Sequence, residues 1–360
     1  MVATPAAGLG QGGIDRMMNA LRRALAQQAD GAVAVRFVAS RGNGSVMLSP
    51  FYVLGFCLQM LAARLGGKLD LVHINLASHG STYRKLVIAA WARALRVPYV
   101  LHLHGADYRR FWPEDNGLLA RCIGAMFAGA GGIIVLGGIW RDFVRARVPE
   151  TAERLVIVPN ATPVPRLPHA GGGESVHILF LGRVENRKGV PELCAALGGL
   201  AALPGWRATI AGDGEVDKLR RDLGELGLAE RVAVPGWQGE DDVARLLSAA
   251  DILTLPSHSE NLPIAVIEAM AAGLAIVTTP VGATPDIVSD GETGLLVPPG
   301  DVEALRQALA KLIETPALRR ELGEAARRTH RERLDTGPYA KTLCAIWTRV
   351  ATAGRLEGAR

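Results

Sequence analysis

The chain alternates short apolar runs with longer stretches in which apolar residues recur every three or four positions. In the first half the strand-like runs are AVRFVA, LDLVHIN, PYVLHLHG and GGIIVLG. In the second half they are VHILFLGR, ATIAGDG, RVAVPGW, DILTLPS and LAIVTTP. Continuous β-rich runs separated by helices indicate parallel sheets covered on both faces. The pattern therefore predicts an α/β fold with two doubly wound, Rossmann-like domains.

Between the two series lies a segment that neither a helix nor a central strand would tolerate. PNATPVPRLPHAGGGES (159–175) holds four prolines and three consecutive glycines, so we predict a linker there. The N-terminal domain then covers residues 1–165 and the C-terminal domain residues 166–335. Ligands of such sheets bind beyond the carboxyl ends of the strands, so we expect one site in a central cleft that both sheets face.

Composition and charge narrow the class of protein. The 360 residues are 49% hydrophobic and 21% charged, which is typical of a globular chain. Four scattered cysteines favour a reducing, cytoplasmic compartment over a disulfide framework. Residues 1–160 hold 18 Lys and Arg against 9 Asp and Glu, whereas the rest hold 22 against 26. This asymmetry indicates an anionic partner, phosphate or lipid, unless the arginines are simply solvated. With 5% aromatic residues, we expect no nucleic-acid partner.

Two segments of the first half raise the question of membrane contact. VMLSPFYVLGFCLQMLAA (46–63) carries no charge, but a proline, a glycine and a glutamine interrupt it. We predict a covered or membrane-touching helix there, not a membrane span. A second predicted helix, within 75–97, either covers the sheet or rests on anionic lipid at the inner face of the plasma membrane. Its basic residues are Arg84, Lys85, Arg93 and Arg96.

The segment SHSENLPIAVIEAMAAG (257–273) places two glutamates, Glu260 and Glu268, on either side of an apolar run. A proline suits the first turn of a helix, so we predict a helix over 263–272 that ends at Gly273. A helix start of this kind suits a phosphate, because its amides and its dipole both favour negative charge. The amides are those of Asn261, Leu262 and Ile264. The alternative is a capping acid and a surface glutamate.

A second motif, HILFLGRVENRKGV (177–190), is a strand followed by a glycine and then by Arg183 and Lys188. Two cations at the end of a strand would stabilise the negative charge of a departing diphosphate without a metal ion. An ordinary exposed loop is the alternative when this motif is taken alone. Together with the glutamate motif, it points to a site for a diphosphate-linked ligand.

The glutamates in E-x7-E spacing and the segment G-R-x4-K-G resemble the retaining GT-B glycosyltransferases of family 4, over essentially the whole chain. The resemblance implies a GT-B fold, with the segment 336–360 crossing back to the N-terminal domain. It also implies transfer of a hexose from a UDP- or GDP-sugar to a glycan or lipid-linked acceptor, with retention and without a metal or other cofactor. Many members have glycines where this chain has Asn261, Leu262 and Pro263, which leaves the identity of the sugar open.

The resemblance assigns roles to individual residues. Glu260 and His104 would contact the donor sugar, Glu268 the ribose, and Arg183 with Lys188 the leaving diphosphate. Glycine loops near the diphosphate, a residue near the base and the helix amides complete the implied site: Gly12, Gly13, Gly182, Gly212, Gly214, Trp237, Asn261, Leu262 and Ile264. Trp237 would either stack on the base or pack at the edge of its domain.

The N-terminal segment GLGQGG supports a rival function. Gly8, Gly10 and Gly13 satisfy G-x-G-x-x-G, and Asp30 follows at nearly the spacing of a dinucleotide-binding fold. A NAD-dependent oxidoreductase is therefore one alternative, although it explains neither the glutamates nor the arginine–lysine pair. A non-catalytic nucleotide-sugar-binding protein is another. The strand before this segment, MVAT, is short. A truncated start of the sequence would explain its length.

Three histidines fall on neighbouring predicted strands. His102 and His104 lie on one face of PYVLHLHG, and His73 lies on LDLVHIN. A three-histidine metal site is one interpretation, and core histidines bonded to carbonyl groups are the other. Because no fourth ligand is evident, we predict no metal.

Overall fold

A computed structural model describes residues 1–6, 13–27, 33–42, 45–115 and 117–358. The strands of these ranges are β1 (Val2–Thr4), β2 (Phe37–Ala39), β3 (Val72–Leu76), β4 (Tyr99–Leu103), β5 (Gly132–Val135), β6 (Leu155–Ile157), β7 (Val176–Leu181), β8 (Trp206–Ala211), β9 (Val232–Gly236), β10 (Ile252–Leu255), β11 (Ala275–Thr278) and β12 (Leu295–Leu296). The α-helices are α1 (Gly13–Gln27), α2 (Ser49–Leu65), α3 (Gly80–Ala94), α4 (Tyr108–Phe111), α5 (Leu118–Ala128), α6 (Gly138–Arg147), α7 (Val190–Gly199), α8 (Val216–Glu225), α9 (Glu240–Ala249), α10 (Ile264–Ala272), α11 (Val302–Glu314), α12 (Pro316–Arg333) and α13 (Thr336–Gly358).

The chain divides into two compact units, each built on one sheet. The first unit comprises Met1–Ala161 and Thr336–Arg360, and the second comprises Thr162–Asp335. Each sheet has six described strands, all paired in parallel. The prediction of two Rossmann-like α/β domains is thereby confirmed.

The first unit has the strand order β2-β1-β3-β4-β5-β6. Every residue of β3 and β4 is buried, because helices cover both faces of the sheet. The C-terminal helix α13 belongs to this unit and packs against α1. Its Trp347 indole donates a hydrogen bond to His73 Nδ1 on β3 at 2.9 Å.

The second unit has the strand order β12-β11-β10-β7-β8-β9. The fully buried strand β7 lies between β8 and β10, so the loops after these three strands leave the sheet at one edge. Helix α10 follows β10 and buries Val266, Ile267 and Met270. Pro263 occupies its N-cap position, so the helix begins at Ile264, one residue after the predicted start, and Gly273 ends it in the left-handed conformation (φ 79°).

Helix α2 differs from one expectation drawn from the sequence. The helix forms over the uncharged segment, but it is covered on one face only, because large apolar side chains along the other face are exposed. Within the described ranges, no helix combines the length and the hydropathy that a bilayer crossing requires.

Candidate active site

Three loops at the carboxyl ends of β7, β8 and β10 are tied together by main-chain hydrogen bonds. Val184, after β7, donates to the carbonyl of Asp213 at 2.6 Å and accepts from the amide of Glu215 at 2.9 Å. The β7 loop is also joined to the β10 loop, since the amide of His258 donates to the Arg187 carbonyl at 2.9 Å. The G-R-x4-K-G segment and the first glutamate of E-x7-E therefore lie in adjoining loops.

Glycines allow these loops to approach so closely. A Cβ on Gly212 would lie 1.7 Å from the carbonyl oxygen of Gly182, and one on Gly214 would lie 2.3 Å from that of Val184. A Cβ on Gly189 would lie 2.0 Å from the carbonyl oxygen of Pro256. These distances are far inside van der Waals contact, so any side chain would force the loops apart.

The adjoining loops place Lys188 against Glu260. Lys188 Nζ donates to Glu260 Oε1 at 2.5 Å, and the Ser257 hydroxyl donates to the same oxygen at 2.8 Å. The lysine and glutamate side chains are only 15% and 9% exposed. A short ion pair screened from water is a strong charge-assisted contact and holds both groups in fixed positions. Neither this pair nor the role of Ser257 was part of the sequence prediction.

The start of α10 lies directly beside this ion pair. Asn261 and Leu262 are buried, whereas Ile264 and Glu268 are half-buried. The Asn261 carbonyl accepts a hydrogen bond from the amide of Ala283 at 2.7 Å, which fixes the loop before the helix. The segment therefore presents a helix start and a cation, both of which favour a bound phosphate, beside the Glu260 carboxylate.

The remaining predicted residues of the second unit lie at the same edge of its sheet. Arg183 follows Gly182 after β7, and its side chain is 61% exposed, with Nε 3.5 Å from Glu185 Oε2. Trp237 follows β9 and is 51% exposed, so it is not packed into its domain. Arg183 thus pairs with a different acid from the one that pairs with Lys188.

His104 belongs to the first unit and follows β4. Its Nε2 lies 2.9 Å from Oδ1 of Asn75, and His73 Nε2 lies 3.3 Å from the same oxygen. Burial, with a smaller contribution from His73, lowers the pKa of His104 to about 3. The imidazole is therefore neutral near pH 7. Asn75 is a further residue of this region that spacing alone did not suggest.

The glycine loop of the first unit is described only in part. Gly13 is the first residue of α1. Gly8, Gly10, Gly12 and Asp30 lie outside the described residues.

The rings of the three histidines lie next to one another in a row. The ring centroids of His73 and His102 are 5.3 Å apart at 78°, and those of His102 and His104 are 4.0 Å apart. Burial lowers the pKa of His102 well below its usual value. Among the described residues, no group of three or more His, Cys, Asp or Glu side chains is arranged to hold a metal ion.

Comparison with known proteins agrees with this arrangement. The family model described as "Glycosyl transferase 4-like domain" matches residues 5–161, and "Glycosyl transferases group 1" matches residues 169–329. The two matches together span most of the chain. The chain therefore belongs to the family 4 glycosyltransferases of the GT-B type, enzymes that use nucleotide-sugar donors. The comparisons support neither the NAD-dependent oxidoreductase nor the non-catalytic binding protein.

Individual relatives show how broad this family is. The chain is 27% identical over 310 residues to a glycogen synthase of Mycobacterium tuberculosis, covering 83% of this chain and 70% of the relative. It is 34% identical over 180 residues to a phosphatidyl-myo-inositol mannosyltransferase of Mycobacterium leprae, covering 49% of this chain and 47% of the relative. Among solved structures it is similar to Alr3699/HepE of Anabaena in complex with UDP and glucose, with a TM-score of 0.76, 18% identity and coverage of 97% and 98%. At 18% identity, the similarity to Alr3699/HepE supports the fold alone.

Proposed function

We propose that the protein transfers a hexose from a UDP- or GDP-sugar to a glycan or lipid-linked acceptor, with retention of anomeric configuration and without a metal ion. The observation that supports this most strongly is the Lys188–Glu260 ion pair at the start of α10. It gathers a cation, a carboxylate and a helix N-terminus within one cluster of strand-end loops. These are the groups that a sugar diphosphate needs.

The proposed reaction begins with departure of the nucleoside diphosphate. As the bond from the anomeric carbon to the diphosphate oxygen breaks, its electron pair moves onto that oxygen and the sugar gains oxocarbenium character. Lys188 and Arg183 stabilise the developing charge in the role that a metal ion fills elsewhere. The acceptor hydroxyl then bonds to the anomeric carbon on the face that the diphosphate leaves, and its proton passes to the departing diphosphate. We assign no residue as a nucleophile.

The donor would be held by groups at the same edge of the second sheet. Both described hydrogen bonds of the Glu260 carboxylate go to Oε1, so we assign Oε2 to a hydroxyl of the donor sugar. Glu268, farther along α10, would accept from the ribose hydroxyls. The groups assigned to the diphosphate and base are those of Gly182, Gly212, Gly214, Trp237, Asn261, Leu262 and Ile264.

The first unit would contribute contacts to the sugar and the acceptor. We assign the neutral His104 imidazole to a hydroxyl of the donor sugar, and Gly12 and Gly13 to close approach of diphosphate and acceptor. A lipid-linked acceptor agrees with the excess of basic residues in 1–160. It also agrees with the name of the mannosyltransferase relative. We place the protein in the cytoplasm, at the inner face of the plasma membrane when it acts on lipid.

The test starts from a panel of UDP-, GDP- and ADP-sugars, since a matched donor raises the melting temperature by mass action. Release of nucleoside diphosphate from that donor then measures turnover. We expect Lys188→Ala to lower kcat by about a hundredfold or more, because it removes charge stabilisation of the leaving group. The matched control is Lys218→Ala, which removes an exposed lysine of α8 that pairs with Glu215.

A folded Lys188→Ala protein with less than about a threefold loss of turnover would contradict the proposed role. If no nucleotide sugar in the panel stabilised the wild-type protein, the donor assignment itself would be wrong.

A further inference from the structure

Helix α2 carries a second apolar face that points to solvent. Its buried face includes Val53, Phe56 and Met60. The outward residues follow the same helical spacing, and they are joined by two apolar residues before the helix. The exposed set is Met47 (84% exposed), Leu48 (47%), Phe51 (70%), Leu54 (57%), Leu58 (56%) and Leu65 (80%). A contiguous exposed apolar stripe of this kind marks an interaction site in a water-soluble unit.

This stripe is presented by a fixed element. Three hydrogen bonds join α2 to α3: Arg84 Nη1 to Ser49 Oγ at 3.4 Å, Trp91 Nε1 to the Cys57 carbonyl at 3.0 Å, and Arg64 Nε to the Leu95 carbonyl at 3.3 Å. The residues joined by these hydrogen bonds occur in the same order along both helices, so α2 and α3 lie side by side and run in the same direction. Helix α3 adds two more exposed apolar side chains, Tyr83 and Val87, each 53% exposed.

Exposed basic residues lie at the C-terminal ends of the two helices. They are Arg64, Lys68, Arg93 and Arg96. The neighbouring acid, Asp70, pairs with Arg355 of α13. An apolar stripe ending in a basic cluster matches the interface of a bilayer with anionic headgroups.

The basic surface differs from the one that the sequence indicated. Lys85 is 2% exposed and donates to the Ser40 hydroxyl, and Arg84 is turned toward Ser49. Two of the four basic residues predicted to face lipid therefore point inward. The outward apolar surface lies chiefly on α2 instead.

We propose that the α2 stripe, defined as Leu48, Phe51, Leu54, Leu58 and Leu65, docks this unit onto an anionic membrane surface. The stripe inserts among the headgroups, and the basic cluster neutralises lipid phosphates. A second copy of the chain is the other occupant to consider. Neither α2 nor α3 contains an Asp or Glu, so a dimer formed through these two helices would bring no negative charge to the basic cluster.

The test is co-sedimentation with vesicles of phosphatidylcholine, with and without phosphatidylglycerol. We expect the wild-type protein to bind the anionic vesicles at least about tenfold more tightly than the neutral ones, and to be released by salt. The variant Phe51→Gln/Leu54→Gln/Leu58→Gln should lose about tenfold or more in binding, because it removes the inserted apolar area. Its fold should persist, since these side chains are exposed. Lys68→Gln/Arg93→Gln should weaken binding to anionic vesicles specifically.

The matched control is Leu167→Gln/Leu226→Gln, which removes two exposed leucines of the second unit, 41% and 44% exposed, and should bind as the wild type does. Equal vesicle binding by the triple variant and the wild type, or no wild-type binding to anionic vesicles, would overturn the proposal. So would a wild-type dimer without lipid that the triple variant converts to a monomer, since a second copy would then cover the stripe.

This proposal goes beyond the transfer reaction and is separable from it. The triple variant should release nucleoside diphosphate from a matched donor at the wild-type rate in the absence of vesicles. Loss of vesicle binding with turnover intact would leave the proposed reaction standing. An inactive wild-type protein that still bound vesicles would leave the docking surface standing.

Discussion

The amide of Asn75 decides which nitrogen of His104 carries the proton. Asn75 Nδ2 donates to the carbonyl of Ala3 at 3.2 Å, which turns Oδ1 toward the histidines. Oδ1 is an acceptor, so His104 must be protonated at Nε2, 2.9 Å away. Nδ1 is then the acceptor of the neutral ring. In the proposed reaction a hydroxyl of the donor sugar would donate to Nδ1, and Asn75 would be a positioning residue for that contact.

This assignment predicts a change in the pH dependence of activity. Asn75→Asp puts a carboxylate beside Nε2, which favours the imidazolium and raises the pKa of His104. Below the raised pKa both ring nitrogens are donors, so the sugar hydroxyl loses its acceptor. We expect kcat/KM of the variant to fall as pH decreases from 8 to 5.5, measured by release of nucleoside diphosphate. The wild-type profile should show no loss from this group in that range, because its pKa is about 3.

Asn75→Ala provides the comparison for a purely structural effect. It removes the hydrogen bond without adding charge, so it should lower activity by a similar factor at every pH. Identical pH profiles for the Asp variant and the wild type would show that His104 does not act through its neutral form.

At the level of residues, the sequence named candidate residues but not the contacts between them. Lys188 and Glu260 were each assigned to the donor, but they are 72 positions apart in the chain. Spacing within a motif does not reveal that a lysine in one loop meets a carboxylate in another. That contact depends on which strands are neighbours in the sheet. The roles of these residues remain predictions.

At the scale of the elements, the site depends on how closely two loops pack. Gly189 follows Lys188 directly and has a φ of 72°. Its missing side chain lets the β7 loop lie against the carbonyl of Pro256 in the β10 loop. Loop contact therefore sets the position of the Lys188 ammonium relative to Glu260.

Gly189→Ala should separate these loops and reduce turnover by at least about tenfold, since small displacements of a catalytic group are costly. Gly227→Ala is the matched control, because Gly227 has a similar φ of 67° but nothing within 4 Å of an added Cβ. Both variants bear the left-handed strain of about 1–2 kcal/mol, whereas Gly189→Ala alone adds a clash. Nucleoside diphosphate release and urea unfolding measure the two effects. Equal activity in the two variants would mean that loop packing does not position Lys188.

The elements themselves were predictable to different degrees. Long apolar runs predicted the interior strands other than β1, because strands buried on both faces have no polar alternation to obscure them. β1 lies between β2 and β3, but its three residues appeared only as the short segment MVAT. The short edge strands β6 and β12 were not predicted, since three and two residues carry too little pattern. The apolar periodicity of α2 showed a helix but not which face is covered. That depends on the position of α3, which the sequence does not reveal.

At the scale of the whole molecule, both units bury histidines in the neutral form. Burial lowers the pKa of His73 to about 4 and that of His104 to about 3. It also lowers the pKa of His102, and of His177 and His330 in the second unit. In the unfolded chain each histidine titrates near its ordinary value of about 6.5. Below that pH the unfolded state binds more protons than the folded state, so acid favours unfolding.

The free energy of unfolding should therefore fall as pH decreases from 6.5 to 5.5, by up to about 1.4 kcal/mol per pH unit for each fully buried histidine. Carboxylates contribute little there because they titrate mainly below pH 5. Urea unfolding at several pH values measures how steeply the free energy of unfolding changes with pH. His102→Leu should reduce the number of protons that the first unit takes up on unfolding by about one. Leu101→Ala, on the same strand and fully buried, should lower stability equally at every pH. A slope unchanged by His102→Leu would show that His102 takes up no proton on unfolding, and the acid sensitivity would then have to come from other groups.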